Sequence, residues 1–380
     1  MTELINLLSD LVAIDSVNPD LAPGGAGEVA MAAFIADWGR RNGLEAHVQQ
    51  AAAGRPNTVL IARGSGGGKS LMLNAHTDVV GVSGMDAPFK PTIADRRMYG
   101  RGAYDMKSGL AACMLAAKAA QSMALSGDVI VSAVADEEYG SIGTEALLAE
   151  WERWPADAVL IAEPTELAIS IAHRGFVWLE FDVTGLAAHG SRPQLGVDAI
   201  VKMGKALAAL DALDQKLRAH PTHDLLGSGS LHASFIEGGE EISMIPARCK
   251  LLAERRTIPG ESAESVQAEA QALLDDIAAK DPDFKARVKA TFSRSPYGIN
   301  ADHPLVRTLK QQAQACLGGD VPVIGSSWWM DAALFGDRGV PTVVLGPAGA
   351  GAHARVEWVD LESVGRCQEI YTALIADFCR

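Results

Sequence analysis

The chain has 380 residues, enough for two domains rather than one small core. Hydrophobic residues make up 48% and charged residues 21%, the balance of a soluble globular protein. The formal net charge of -14 argues against nucleic acid or anionic membrane as a partner, because both recognise clustered Lys and Arg.

The opening stretch, MTELINLLSDLVAIDSVNP, has no basic start and carries acids among its apolar residues, so it reads as an amphipathic helix rather than a signal peptide. Further on, the pattern predicts a helix over 26–41, a buried strand over 70–75, an Ala-rich helix over 106–124, and short apolar strands over 129–135 and 158–162. Such alternation implies an α/β sheet covered by helices on both faces. The middle changes character. Strand 176–183, helix 197–217, strands 230–236 and 247–256, helix 261–280 and strand 284–292 follow the split β-α-β-β-α-β order of a small ferredoxin-like domain. The α/β style then resumes with a helix from Asp302, a strand over 342–345 and a last helix from Asp360. The expected organisation is a catalytic domain over 1–173 and 293–380 with an inserted domain over 174–292. No apolar run is long enough to span a bilayer. The five cysteines (Cys113, Cys249, Cys316, Cys367, Cys379) are scattered, without C-x-x-C spacing, which suits reduced thiols and a cytoplasmic location.

Polar residues of one chemical kind follow the apolar strands. Strand 71–75 runs into His76-Thr77-Asp78, strand 129–135 into Asp136-Glu137-Glu138, strand 158–162 into Glu163-Pro164, and strand 343–345 into Gly346-Pro347 and then His353. In open α/β sheets, ligands bind beyond the carboxyl ends of the strands. Asp105, in Gly-Arg-Gly-Ala-Tyr-Asp-Met-Lys before a long helix, can join them. Imidazole and carboxylate donors suit zinc where a water must stay bound. A single His at a strand end is more often a structural residue, and an acid pair more often solvated; the weight lies in all of them following strands.

These segments resemble the zinc-dependent family of acetylornithine deacetylase, succinyl-diaminopimelate desuccinylase, aminoacylase and glutamate carboxypeptidase, over nearly the whole chain. The matching stretches are His76-Thr77-Asp78-Val79-Val80, Tyr99 to Lys107, Asp136-Glu137-Glu138-Tyr139-Gly140, Glu163-Pro164 and Ala352-His353. The resemblance implies a zinc-exopeptidase-like catalytic domain with the inserted domain serving as lid and dimerisation surface. It implies two zinc ions, with cobalt or manganese as possible substitutes: His76, Asp105 and Glu163 on one, Asp105, Glu138 and His353 on the other, Asp105 bridging. Asp78 is expected to orient His76, and Glu137 to act as general base. Ala187-Ala188-His189-Gly190-Ser191-Arg192-Pro193 resembles the segment whose histidine reaches an active site across a dimer interface and stabilises the oxyanion. Arg256 is the expected clamp on a substrate carboxylate, with a plain surface ion pair as its rival.

This chain has Ser243-Met244 where many relatives carry Asn before Ile-Pro, a change on the substrate side. Trp328-Trp329 replace a more polar stretch and line either an acyl pocket or the core. The expected reaction is hydrolysis of a small N-acyl amino acid, foremost acetylornithine-type deacetylation, by a cytoplasmic homodimer. The alternatives are desuccinylation, a carboxypeptidase or dipeptidase reaction, and, in another class, a catalytically silent binding protein. Two apparent motifs are set aside. Arg63 to Ser70 resembles a phosphate loop but lacks its first glycine and precedes a strand, and His220 to Asp224 reads as a solvated loop.

Overall fold

The computed structural model describes residues 1–380, which divide into two compact units. The first comprises Met1–Ile171, Ile299–Ile324 and Met330–Arg380; the second comprises Ala172–Gly298 and Gly325–Trp329.

In the first unit the strands lie in the order Glu45–Ala52, Arg55–Ala62, Val129–Val134, Leu71–His76, Ala158–Ile161, Thr342–Val344. The last four are mutually parallel neighbours, and the first two form an antiparallel hairpin against them. All four parallel strands are buried at every position, which is why they read as apolar runs without alternation. Both faces are covered. Asn57 and Thr58 are consecutive in a strand and so point to opposite faces. Asn57 Nδ2 donates to the Gly143 carbonyl of helix Ile142–Ala149, while Thr58 Oγ1 donates to the Ala32 carbonyl of helix Val29–Arg41. Helices Thr2–Ala13, Lys107–Ala120 and Leu361–Phe378 share one apolar core with that second face. Small residues let Lys107–Ala120 sit close: a Cβ on Gly109 would lie 2.2 Å from the Ala162 carbonyl oxygen, so this helix touches the chain directly before Glu163.

Two helix boundaries differ from the sequence expectation. The helix expected over 26–41 starts at Val29, because Glu28 at its cap turns its carboxylate to Arg55. The helix expected over 106–124 covers Lys107–Ala120.

In the second unit the strand order is Ser230–Gly238, Arg248–Thr257, Gly175–Thr184, Lys285–Arg294, with every pair antiparallel. With helices Ala199–Ala219 and Ala263–Ala278 this is the ferredoxin-like arrangement. Burial alternates along Arg248–Thr257, as a sheet with one covered face requires. Cys249, Leu251 and Ala253 join the core against the two helices. Helix Ala263–Ala278 begins two residues later than expected. Glu261 instead accepts a bond from the Ile258 amide and pairs with Arg255, and Ser262 caps the helix in a reciprocal exchange with Ser265.

Candidate metal centre

Parallel neighbours bring their carboxyl ends to one edge of the sheet. His76 is the last residue of its strand, Glu137 and Glu138 follow Val129–Val134, and Glu163 follows Ala158–Ile161. His353 lies beyond Thr342–Val344 on a loop, at φ +61° two residues after Gly351 at φ +88°. Asp105 comes from the turn before helix Lys107–Ala120.

These side chains converge. His76 Nε2 lies 3.2 Å from Asp105 Oδ1 and 3.5 Å from Glu163 Oε1. His353 Nε2 lies 3.5 Å from Asp105 Oδ2 and 2.9 Å from Glu138 Oε2. Donor atoms of His76, Asp105 and Glu138 fall within 4.8 Å of one another, as do those of His76, Glu137 and Glu163. Zinc bonds of about 2.0–2.2 Å in tetrahedral geometry separate donors by about 3.3–3.6 Å; the His76 and His353–Asp105 spacings of 3.2–3.5 Å are close to that, and the His353–Glu138 contact at 2.9 Å is shorter. Asp105 turns one oxygen to each imidazole, the geometry a bridging carboxylate needs.

The electrostatics fit divalent cations too. Burial, and then the neighbouring Glu163, push Glu137 well above the usual carboxylate range. Burial and Asp105 push Glu163 the same way, and Glu138 rises from the same causes. Burial also opposes ionisation of Asp105, but the two imidazoles overcome it and hold this carboxyl low. The bonds to Asp105 and Glu138 lift His353 to about 10. Four carboxylates gathered around two imidazoles suit positive charge between them.

A buried network holds this edge from behind. Asp78 is hidden from solvent. Its Oδ1 lies 3.5 Å from His76 Nδ1, which also contacts the Asp78 carbonyl at 3.0 Å. The same carboxylate accepts from the Glu137 and Glu138 amides at 3.1 and 3.3 Å, so Asp78 fixes the acid pair as well as the imidazole. Asn18 Nδ2 bridges Asp78 Oδ2 (2.7 Å) and Asp136 Oδ1 (2.9 Å). Arg55 closes the network on Glu28 and Asp136. Asp136 itself sits at φ +68°, and its carbonyl accepts from the Gly140 and Ser141 amides, so the residue before Glu137 turns the chain. Asp331 is a further buried acid: Thr144 Oγ1 donates to it at 2.5 Å, and burial lifts it to about 6.

Sequence reasoning did not find Asn18, Arg55 or Asp331. Arg55 opens its strand before Pro56 and gives no local signal, and Asp331 lies inside the stretch read for its tryptophans. Trp328 is exposed, and Trp329 donates from Nε1 to the Ser295 carbonyl.

In the second unit His189 is exposed, with Nδ1 2.8 Å from Ser191 Oγ. Its short strand pairs with Met244–Ile245, and the Gly190 amide donates to the Ser243 carbonyl, so His189 and Ser243 are neighbours. Arg256 Nε pairs with Glu254 at 2.7 Å and the guanidinium stacks over Phe176. Alternation places it opposite Arg255, which is buried beside Glu261.

A doubly covered parallel sheet that gathers two imidazoles and four carboxylates at one edge has the architecture of a metal-dependent hydrolase. Residues 72–377 match the family model described as Peptidase family M20/M25/M40, and the chain belongs to this family. It is 29% identical to the acetylornithine deacetylase of Myxococcus xanthus, over 98% of this chain and 96% of the relative, and 27% identical to that of Proteus mirabilis, over 99% and 96%. Among solved structures it is similar to aminopeptidase PepT from Bacillus cereus, with a TM-score of 0.80 at 20% identity over 100% of this chain and 99% of that one. A dinuclear metal-binding M20 peptidase from Bacillus subtilis gives a TM-score of 0.77 at 17% identity, over 100% and 98%. The chain is thus a hydrolase of amide bonds with an α/β fold. No helix is long and apolar enough to cross a membrane.

Proposed function

We propose that the protein is a dinuclear zinc amidohydrolase that removes the acyl group from a small N-acyl amino acid, with acetylornithine-type deacetylation as the leading reaction. The observation that supports this most is Asp105, whose two oxygens face the two imidazoles. His76, Asp105 and Glu163 would hold one ion, and Asp105, Glu138 and His353 the other. When bound, such ions polarise the scissile carbonyl and lower the pKa of water. Glu137 would take a proton from the attacking water and return it to the leaving amine. Asp78 keeps the His76 ring and the Glu137 amide in place during this exchange.

His189 would donate to the developing oxyanion from a partner subunit, with Nδ1 already engaged by Ser191. Ser243 and Arg256 are the substrate-side candidates, Arg256 for a carboxylate. A homodimer is supported by the edge strand Ser230–Gly238, where Phe235 and Ile236 are about half exposed. The scattered free thiols suit a cytoplasmic enzyme.

The test is metal-free protein reloaded with zinc, cobalt or manganese singly and assayed on acetyl, succinyl, formyl and dipeptide substrates. Fastest turnover of acetylated basic amino acids is expected. Faster succinyl or dipeptide cleavage would move the assignment to those alternatives, and bound metal without turnover of any of them would make this a binding protein.

A further inference from the structure

We propose that Glu357 and Arg101 form a clasp that aligns Asp105 with His353 and thereby sets the affinity of the second metal position; this rests on the dinuclear reading above. Both side chains are nearly inaccessible, at 1% and 3% exposure, and neither contributes a donor atom to the cluster. Glu357 lies four residues beyond His353, directly before the short strand Trp358–Asp360. Its Oε1 accepts from the amides of Tyr104 (2.9 Å) and Asp105 (3.1 Å). Its Oε2 accepts from the Gly102 amide (3.0 Å) and from Arg101 Nη1 (2.7 Å). The Glu357 carbonyl also accepts from the Gly100 amide. One residue of the His353 segment therefore fixes the whole turn that delivers Asp105.

Arg101 completes the link in the other direction. Its Nη2 donates to the carbonyl of Ala354, the residue next to His353, at 3.0 Å, and to that of Gly81 at 3.2 Å. The loop needs this support, since His353 has a half-exposed side chain and a left-handed backbone. A bridging carboxylate and an imidazole from distant chain segments serve one ion only if their spacing is held. Residues outside the donor set that hold ligands typically contribute 10- to 100-fold to metal affinity. The two charges cancel each other in place, so the clasp can be buried.

The experiment titrates the full-length, metal-free chain with zinc alone against a chromophoric chelator, with thermal melts of the same metal-free samples. The parent is expected to take up two equivalents. In Glu357→Gln one pair of donors faces an amide nitrogen instead of an oxygen. In Arg101→Lys the pairing with Glu357 persists, but the fork to Ala354 and Gly81 is lost, with little change in melting temperature. For both variants the equivalent held by Asp105 and His353, the two segments the clasp joins, should weaken about 10–100-fold, and the equivalent that shares only Asp105 should weaken clearly less. Fewer than two equivalents on the parent would sink the dinuclear reading. Two on the parent, together with two at parental affinity on both folded variants, would overturn the clasp alone. Equal weakening of both equivalents in step with lost folded protein would overturn it as well.

Discussion

Asp78 and His189 have opposite surroundings. Asp78 is hidden from solvent and bonded to Asn18 and to the Glu137 and Glu138 amides, whereas His189 is exposed and held through Ser191. The strand-end cluster is largely assembled by folding itself, because His76, Glu137, Glu138 and Glu163 end or follow buried strands. The His189–Ser243 segment has no such frame. The difference implies that the first unit carries the preorganised part of the chemistry, and that exposed groups contribute once substrate or a partner orders them.

The sharpest break of that comparison is Glu137→Gln. The amide keeps size and burial but cannot take a proton. Turnover should fall by about 10³-fold or more with metal content unchanged; near-parental turnover would remove Glu137 as the base. His189→Ala should slow the reaction by about 100-fold, again with full metal content, as loss of one oxyanion donor does. An unchanged rate would leave the second unit without a chemical role. Asn18→Ala should have a smaller effect, about 10-fold in kcat with KM little changed, because it loosens Asp78 and Asp136 without touching substrate. If kcat per folded molecule is unaffected, Asn18 only holds the fold.

The same contrast explains what could be read in the sequence. His76, Glu137, Glu138 and Glu163 were legible because each follows an apolar strand, and strand ends meet at one edge. Asn18, Arg55 and Glu357 were not, because their partners are far away along the chain: Asp78 is 60 residues from Asn18, Asp136 is 81 from Arg55, and Asp105 is 252 from Glu357. Local pattern carries no trace of such pairings. The strands Glu45–Ala52 and Arg55–Ala62 were missed for another reason. The outer one is rich in Gln and partly exposed, and Pro56 lies in the inner one. The sheet tolerates Pro56 because it pairs with Gln50 near the hairpin's turn, beside an irregularity in register.

The smallest effect concerns the second unit's own stability. Asp281 accepts from Lys202 and Lys205 at 2.6 to 2.7 Å, and these ammonium groups pull its carboxyl down to about 2 from an ordinary 3.8. A carboxyl depressed on folding stabilises the folded chain above the unfolded value. That contribution is present at pH 4 and above and fades as pH falls towards 2. Replacing both lysines with Met returns Asp281 to its ordinary range and removes this dependence. Melts between pH 6 and 2 should therefore show the parent losing stability more steeply below pH 4 than the Lys202→Met, Lys205→Met double variant, with the two curves converging at the acid end. Parallel curves would mean that the lysines are mere neighbours of Asp281, and that acid sensitivity resides in other carboxylates, Asp182 beside Arg248 and Arg287 among them.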